Sequence, residues 1–307
     1  HDSFLGIEDI ADLSRVCPVI WTLHDFWSMT GHCTYPHGCD DRWKIGCNTC
    51  ERLGNYPAIR KDVAHTLWEA KKQAFADANI TFTVPSDWML TQFNNSYLAG
   101  KPCERIYNSL DTTLWKPLDK VTLRARHKIN PQTKILAFIA ADPGKELKGM
   151  DYLLKALSML PDPESYLLLI AGKDHPGLHA LNTKFQIHHW GYLNSQERLN
   201  EFYSLADLLV NPSVYETFGL TNVEAMACGT PVAAFPVCTM PELITKASGW
   251  LASDVSAESL ADVIQLAFSS PQELRDRGIS SRHLVATTFD ESNMLDQFED
   301  LYERVLL

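Results

Sequence analysis

Short apolar runs alternate with stretches whose apolar residues recur every three or four positions, and this rhythm predicts most elements of the chain. Val19 to Leu23 reads as a buried strand, Ile80 to Val84 as a second and Glu104 to Tyr107 as a short third. Between the first two, Ser28 to Asn55 is irregular and rich in Cys and Gly. Asp62 to Asn79 then reads as a helix with Val63, Leu67, Ala70 and Ala74 on its apolar face. Ser86-Asp87 has the form of a helix cap after the second strand. The polar Asn108-Ser109-Leu110-Asp111 and the Lys116-Pro117 that follows break the pattern and mark a domain boundary.

Beyond that boundary the alternation is regular. Lys134 to Ile139, Tyr166 to Ala171, Phe185 to His188, Leu208 to Asn211 and Pro231 to Ala234 read as strands. Gly149 to Leu160, Ser195 to Ser204, Gly219 to Cys228 and Ser256 to Phe268 read as helices. Near-continuous apolar strands alternating with helices predict an α/β fold with a parallel, doubly wound sheet. Ligands of such sheets bind beyond the carboxyl ends of the strands. Glu291 to Leu307 is an amphipathic closing helix, with Met294, Leu295, Phe298, Leu301, Tyr302 and Val305 on one face. There is no internal repeat.

The 307 residues suit about two domains. Lys and Arg number 27 against 38 Asp and Glu, a net charge of −11. With no Lys/Arg run, that balance argues against a nucleic-acid partner and limits membrane association to a peripheral kind. No apolar stretch approaches the ~18 residues of a spanning helix. The chain opens His1-Asp2-Ser3-Phe4, with neither Met nor a signal-peptide pattern, which reads as a processed chain or a fragment. The default compartment is then a reducing one, the cytoplasm.

Asn211 to Val232 carries the chemistry: NPSVYETFGLTNVEAMACGTPV. A strand delivers the chain to a turn holding Glu216, and Gly219 opens a helix with Glu224 in its second turn. Free amides and a partial positive charge at a helix N-terminus suit a diphosphate, and glycine permits close approach. Glu224, deeper in the helix, can accept both hydrogens of a ribose diol, and Glu216 the hydroxyls of the group attached to the diphosphate. Taken alone, the same two residues fit a solvated turn acid and a helix acid.

This segment resembles the E-x7-E signature of the retaining group 1 (family four) glycosyltransferases. The matching residues are Pro212, Ser213, Glu216, Phe218, Gly219, Glu224, Ala225, Met226, Ala227, Gly229, Pro231 and Val232. Lys148-Gly149 resembles the family's K-G step, whose lysine pairs with the donor diphosphate. The arginine that usually precedes it is missing, and Lys145 is its point-charge substitute. Trp21 to Asp25 resembles the strand ending in a histidine, here His24, that faces the acceptor. Pro85-Ser86 and Asn108-Ser109-Leu110-Asp111 resemble two further landmarks of the family. Gly172 and Gly191-Tyr192 resemble the seat of the base. Leu220 joins Gly219 at the phosphate end of its helix.

The resemblance implies a GT-B architecture of two facing Rossmann-like domains, the first truncated at its N-terminus. The expected segments are an acceptor-side domain over 1–107, a donor-binding domain over 108–288, and a helix over 289–307 that returns to the first. The implied donor is a nucleoside-diphosphate sugar of UDP or GDP type, and the acceptor a glycan or lipid-linked glycan. His24, Lys148 and Glu216 carry the catalytic roles, and no metal is expected at the diphosphate.

Trp21 to Pro57 further resembles a bacterial subgroup of exopolysaccharide and lipopolysaccharide assembly, which suggests work at the inner face of the membrane. In the loop over 31–55, Cys33, Cys39, Cys47 and Cys50 follow a C-x5-C-x7-C-x2-C spacing. Four such thiols suit a structural tetrahedral Zn2+, with His32 and His37 as stand-in ligands. Two disulfides, or free thiols packed in a loop, fit the spacing too. Two other functions fit parts of the sequence. One is a module that binds nucleotide-sugar without turnover. The other is a retaining glycosidase with Glu216 and Glu224 as its carboxylate pair, which leaves Lys148 unexplained.

Overall fold

A computed structural model describes residues 5–181 and 183–306. The opening tetrapeptide and the Leu307 end of the closing helix lie outside the described residues. The chain divides into two compact units. The first joins the residues up to Tyr107 with those from Met294 onward, and the second runs from Asn108 to Asn293.

In the first unit, α1 (Ile7–Val16), β1 (Val19–Thr22), α2 (Ala64–Ala76), β2 (Ile80–Val84), α3 (Asp87–Asn94) and β3 (Cys103–Arg105) follow in order. The three strands form a parallel sheet in the order β1-β2-β3, with Val19 beside Ile80 and Phe82 beside Cys103. The Ser86 hydroxyl accepts from the Met89 amide at 3.0 Å, so the anticipated cap forms at α3. The buried stripe of α2 is Ala64, Trp68, Lys71 and Phe75, not Val63, Leu67, Ala70 and Ala74. A lysine enters that stripe because the surface it meets is a bed of loop carbonyls, as described below.

The second unit begins with α4 (Lys120–Arg126), β4 (Lys134–Ala140), α5 (Met150–Ser158), β5 (Tyr166–Gly172), α6 (Pro176–His179) and β6 (Gln186–His189). It continues through α7 (Gln196–Leu205), β7 (Leu208–Asn211), α8 (Leu220–Ala227), β8 (Val232–Ala234), α9 (Met240–Leu243) and β9 (Gly249–Leu251). It ends in α10 (Ala257–Ser269), α11 (Pro271–Thr288) and the start of α12 (Glu291–Leu306). All six strands are parallel, in the order β6-β5-β4-β7-β8-β9. The chain starts at β4 in the middle, builds outward on one side, then crosses back to build on the other. That is the Rossmann order, and its reversal point lies between the carboxyl ends of β4 and β7. Every residue of β5 is buried, as a strand covered by helices on both faces requires.

The pattern of the sequence did not reveal α11. Its apolar residues are sparse, and Gly278 interrupts it. The glycine is there because α11 crosses the turn after α8 at backbone distance: a Cβ on Gly278 would stand 2.4 Å from the Gly229 oxygen. No helix of the described residues is long and apolar enough to cross a membrane.

Replacing a helical glycine by alanine normally stabilises a helix by about 1 kcal/mol. Gly278→Ala is expected to have the opposite sign, lowering stability by about 1–3 kcal/mol through the forced shift of the α8–β8 turn. Urea unfolding followed by circular dichroism measures it, and a stabilised variant would refute the close crossing.

Candidate functional site

Two loops leave the sheet at its reversal point. The one after β4 runs to Lys148 and Gly149, and the one after β7 runs to Glu216 and Gly219. They are bonded to each other, the Val214 amide donating to the Leu147 oxygen at 3.0 Å. Gly149 has φ +66°, and a Cβ there would stand 1.9 Å from the Pro212 oxygen, so only glycine permits this approach. The approach delivers Lys148 Nζ to Glu216 Oε1 at 2.6 Å, with the Glu216 side chain only 15% exposed. An ammonium carries three donors, so this pair leaves Lys148 able to meet an anion.

At the start of α8, Gly219 has φ +92° and no side-chain cap covers the first amides. A Cβ at Gly219 would meet Asn222 Nδ2 at 2.8 Å and Met240 Cε at 2.9 Å. The turn is locked from beneath. Asn211 Nδ2 donates to Asn222 Oδ1 at 2.8 Å, and Asn211 Oδ1 accepts from the Ser213 amide at 3.0 Å. A strand-terminal Asn followed by Pro-Ser is an Asx-turn signal, so Asn211 was discoverable from the sequence. Its partner Asn222 was not.

Glu224 is half-buried on α8, and the Tyr203 hydroxyl of α7 donates to its Oε2 at 2.7 Å. Burial pushes the Glu224 carboxyl up to about 7, and the tyrosine bond opposes that rise. Nothing in the sequence pointed to Tyr203, since the pairing is between helices.

Gly172, at the end of β5, has φ +116°, and a Cβ there would lie 1.7 Å from the Ala140 oxygen. Its amide donates to the Gly191 oxygen at 2.8 Å, which ties Gly191-Tyr192 to the same strand ends. The Tyr192 ring is exposed. Lys145 is exposed on the loop after β4, and Leu220 is exposed at the first turn of α8. Phe218 corrects the expectation of a ligand-binding side chain. It is buried, with its ring edge-on to Phe289 at 5.8 Å, so only its backbone is available to a ligand. Lys173, next to Gly172, adds an unforeseen cation to these strand ends and pairs with Asp142 at 3.1 Å. His24 belongs to the first unit, exposed just past β1. Partial desolvation lowers the basicity of its ring, against the pull of Asp25.

The zinc expected in the Cys-rich loop is not shown by the structure. All eight cysteines are free, and among the described residues no group of three His, Cys, Asp or Glu side chains is placed to hold a metal ion. Cys33 is buried and its thiol is pushed up to about 12, chiefly by desolvation. Cys39 is raised for the same reason. The Cys47 sulfur accepts from the Gly31 amide at 3.1 Å, and burial lifts it to about 11. Cys50 Sγ lies 3.6 Å from His32 Nε2, while His32 Nδ1 is 2.9 Å from the Pro57 oxygen.

What orders the loop is α2. Lys71 Nζ donates to the oxygens of Trp27 at 2.5 Å, Thr30 at 3.1 Å and Gly31 at 3.1 Å, and lies 3.8 Å over the Trp27 ring. Trp68 Nε1 donates to the Trp43 oxygen at 2.8 Å, and the His65 ring bonds the Gly46 oxygen at 2.7 Å. Burial lowers the Lys71 ammonium to about 7, partly offset by its nearness to Cys33, Cys47 and Asp25.

The sequence model of the family described as Glycosyl transferases group 1 matches residues 119–282. The chain is 30% identical over 251 residues to the putative colanic acid biosynthesis glycosyl transferase WcaC of Escherichia coli K12, covering 81% of this chain and 58% of that protein. The chain thus spans about three fifths of the length of such curated relatives. Among solved structures, HepE of Anabaena in complex with UDP superposes with a TM-score of 0.72 at 18% identity, covering 97% of this chain and 77% of that one. Sucrose-phosphate synthase of Thermosynechococcus elongatus gives 0.69 at 23% identity, over 81% and 64%. These likenesses establish the α/β GT-B fold.

Lys71→Met removes the donor to three loop carbonyls and is expected to cost about 3 kcal/mol. It should also release Cys33 and Cys47 to a thiol reagent under native conditions. Tryptophan-monitored unfolding and a timed thiol titration read the two effects, and unchanged thiol protection would contradict the role given to Lys71.

Proposed function

The chain belongs to the group 1 glycosyl transferases, and from that premise we propose that its second unit binds a nucleoside-diphosphate sugar for retaining transfer to a glycan or lipid-linked acceptor. The observation that carries this reading is the 2.6 Å pair of Lys148 and Glu216 beside the uncapped start of α8. The pair holds a cation where a diphosphate would bring its charge, and a carboxylate where the attached sugar would present its hydroxyls.

In this reading the diphosphate lies against the amides of Gly219 and Leu220, and Lys148 meets its oxygens. Glu224 accepts the ribose diol with its free oxygen while Tyr203 holds the other. As the bond from the anomeric carbon to the diphosphate breaks, negative charge gathers on the leaving group. The helix end and Lys148 then stabilise that charge more than they do in the ground state. The acceptor oxygen bonds the anomeric carbon on the face just vacated, and its proton passes to the departing diphosphate. No protein nucleophile is required. Glu216 orients the sugar, and His24 serves the acceptor. Lys145 and Lys173 are the further cations available at these strand ends. UDP is the first probe to use, because the structurally similar HepE was crystallised with it. The likeness to WcaC supports a place in bacterial polysaccharide assembly, and in this reading the enzyme works in the cytoplasm.

Lys148→Ala should weaken UDP binding about tenfold or more, the value of a charge-assisted hydrogen bond, and more strongly at low salt. Calorimetric titration reads it, and unchanged affinity would remove the lysine from the site.

The half-buried Glu224 supplies a pH signature. Its carboxyl holds its proton up to about 7 in the folded chain, well above its ordinary value. The fold therefore binds more protons than the unfolded chain between the unfolded value and about 7, and the contribution of Glu224 to stability falls as pH rises through that window. A ribose diol donating to Glu224 favours the ionised form. UDP affinity should accordingly rise through about pH 7, with proton release detectable by calorimetry in buffers of different ionisation enthalpy. Glu224→Gln should abolish the release. If the variant releases the same proton, Glu224 does not bind the ribose.

A further inference from the structure

At the opposite end of the second unit's sheet, a groove of about 1060 Å³ opens beside the amino ends of β4, β7 and β8, between α4 and α11. Lys134 opens β4, Asp207 precedes β7 and Pro231 precedes β8, and all three line it. The site proposed above lies at the carboxyl ends of these strands, so this groove has no part in it.

Its lining combines two features. Val121 on α4 and Ile279 on α11 stand 77% and 70% exposed, with Ile129 and Leu274 deeper in the walls. Apolar side chains left in water at the mouth of an apolar groove mark a binding surface. Around them stand five cations, Lys120, Lys134, Arg124, Arg275 and Arg282, against the single carboxylate of Asp207. Asp207 is already shared by Lys120 at 3.1 Å and Arg124 at 2.7 Å. Arg282 donates to the backbone oxygens of Trp115 and Thr112, Lys134 lies over the Tyr166 ring, and Arg275 bonds Gln272. Among the described residues, none of these last three is neutralised by an acid. A chain with a net charge of −11 has thus gathered uncompensated positive charge at its apolar groove.

We propose that this groove docks the second unit onto a bilayer by taking up an anionic phospholipid. An acyl chain would lie along Val121, Ile129, Leu274 and Ile279, and the phosphate would rest between Lys134 and Arg275. The charge of the groove complements the phosphate, and its apolar floor complements the chain. A neutral lipid would satisfy only the second of these, and a soluble anion only the first.

The test is co-sedimentation of the full chain with vesicles of phosphatidylcholine alone or mixed with phosphatidylglycerol. The chain should pellet with the anionic vesicles, and less so as salt is added. Arg275→Glu, at an exposed position, should reduce binding by at least about fivefold, the worth of one cation near an anionic surface. Val121→Asp with Ile279→Asp should reduce it further while circular dichroism stays that of the parent. Should that pair disturb the fold, Arg275→Glu decides alone. Equal pelleting with both vesicle types would overturn the proposal, as would variants that bind like the parent. Release of the chain by soluble glycerol 3-phosphate would assign the groove to a free anion instead, which also overturns it. UDP calorimetry on the same variants is expected to be unchanged, so this result and that for the donor site stand apart.

Discussion

The pairing of Lys148 with Glu216 rests on a contact between two stretches of backbone. Gly149 and the Pro212 oxygen approach so closely that no side chain fits between them. The contact joins the loops that leave β4 and β7, which lie side by side only because the sheet reverses its direction of growth there. Strand order therefore fixes the loops, the glycine lets them touch, and the touch sets the charges. Each level fails without the one below it.

Much of this was legible in the sequence because it is local. β4, β5, β7 and β8 show as apolar runs, and the turn from Asn211 to Gly219 carries its own chemistry in Asn, Pro and Gly. Glu216 and Glu224 could be singled out through position relative to a strand end and a helix start, and Lys148 through its resemblance to the family's K-G step. That the first two meet was not foreseen, since each had been given to a different part of the ligand. The unread features are those decided by distant partners. Tyr203 is an ordinary core tyrosine until α7 and α8 are laid together, and Gly278 looks like a flaw in a helix until α11 meets Gly229.

The Cys-rich loop shows the same limit from the other side. Spacing alone suggested that a metal gathers the thiols, and periodicity placed an aliphatic stripe on α2. The second reading failed at Lys71, and the metal is not shown. A cation in the buried stripe satisfies the carbonyls of an irregular loop, a task that spacing counts do not reveal. The thiol of Cys33 is left buried and that of Cys47 half-buried, under a loop whose order depends on how well α2 stays seated.

The second unit begins and ends at one point. The Leu110 amide donates to the Phe289 oxygen at 2.9 Å, the Glu291 amide donates back to Leu110 at 3.0 Å, and α12 then joins the first unit, where Arg304 grips Glu104 through two contacts of 2.8 Å. Topologically, the second unit is an insertion with a closed neck. While it is folded, the neck delivers α12 at little entropic expense. Once it melts, the first unit must tether its last helix across a long flexible span, whose closure costs free energy that grows with the logarithm of its length. The dependence runs one way: the inserted unit keeps its neck whatever happens to its host, whereas the host loses a pre-paid closure when the insert unravels.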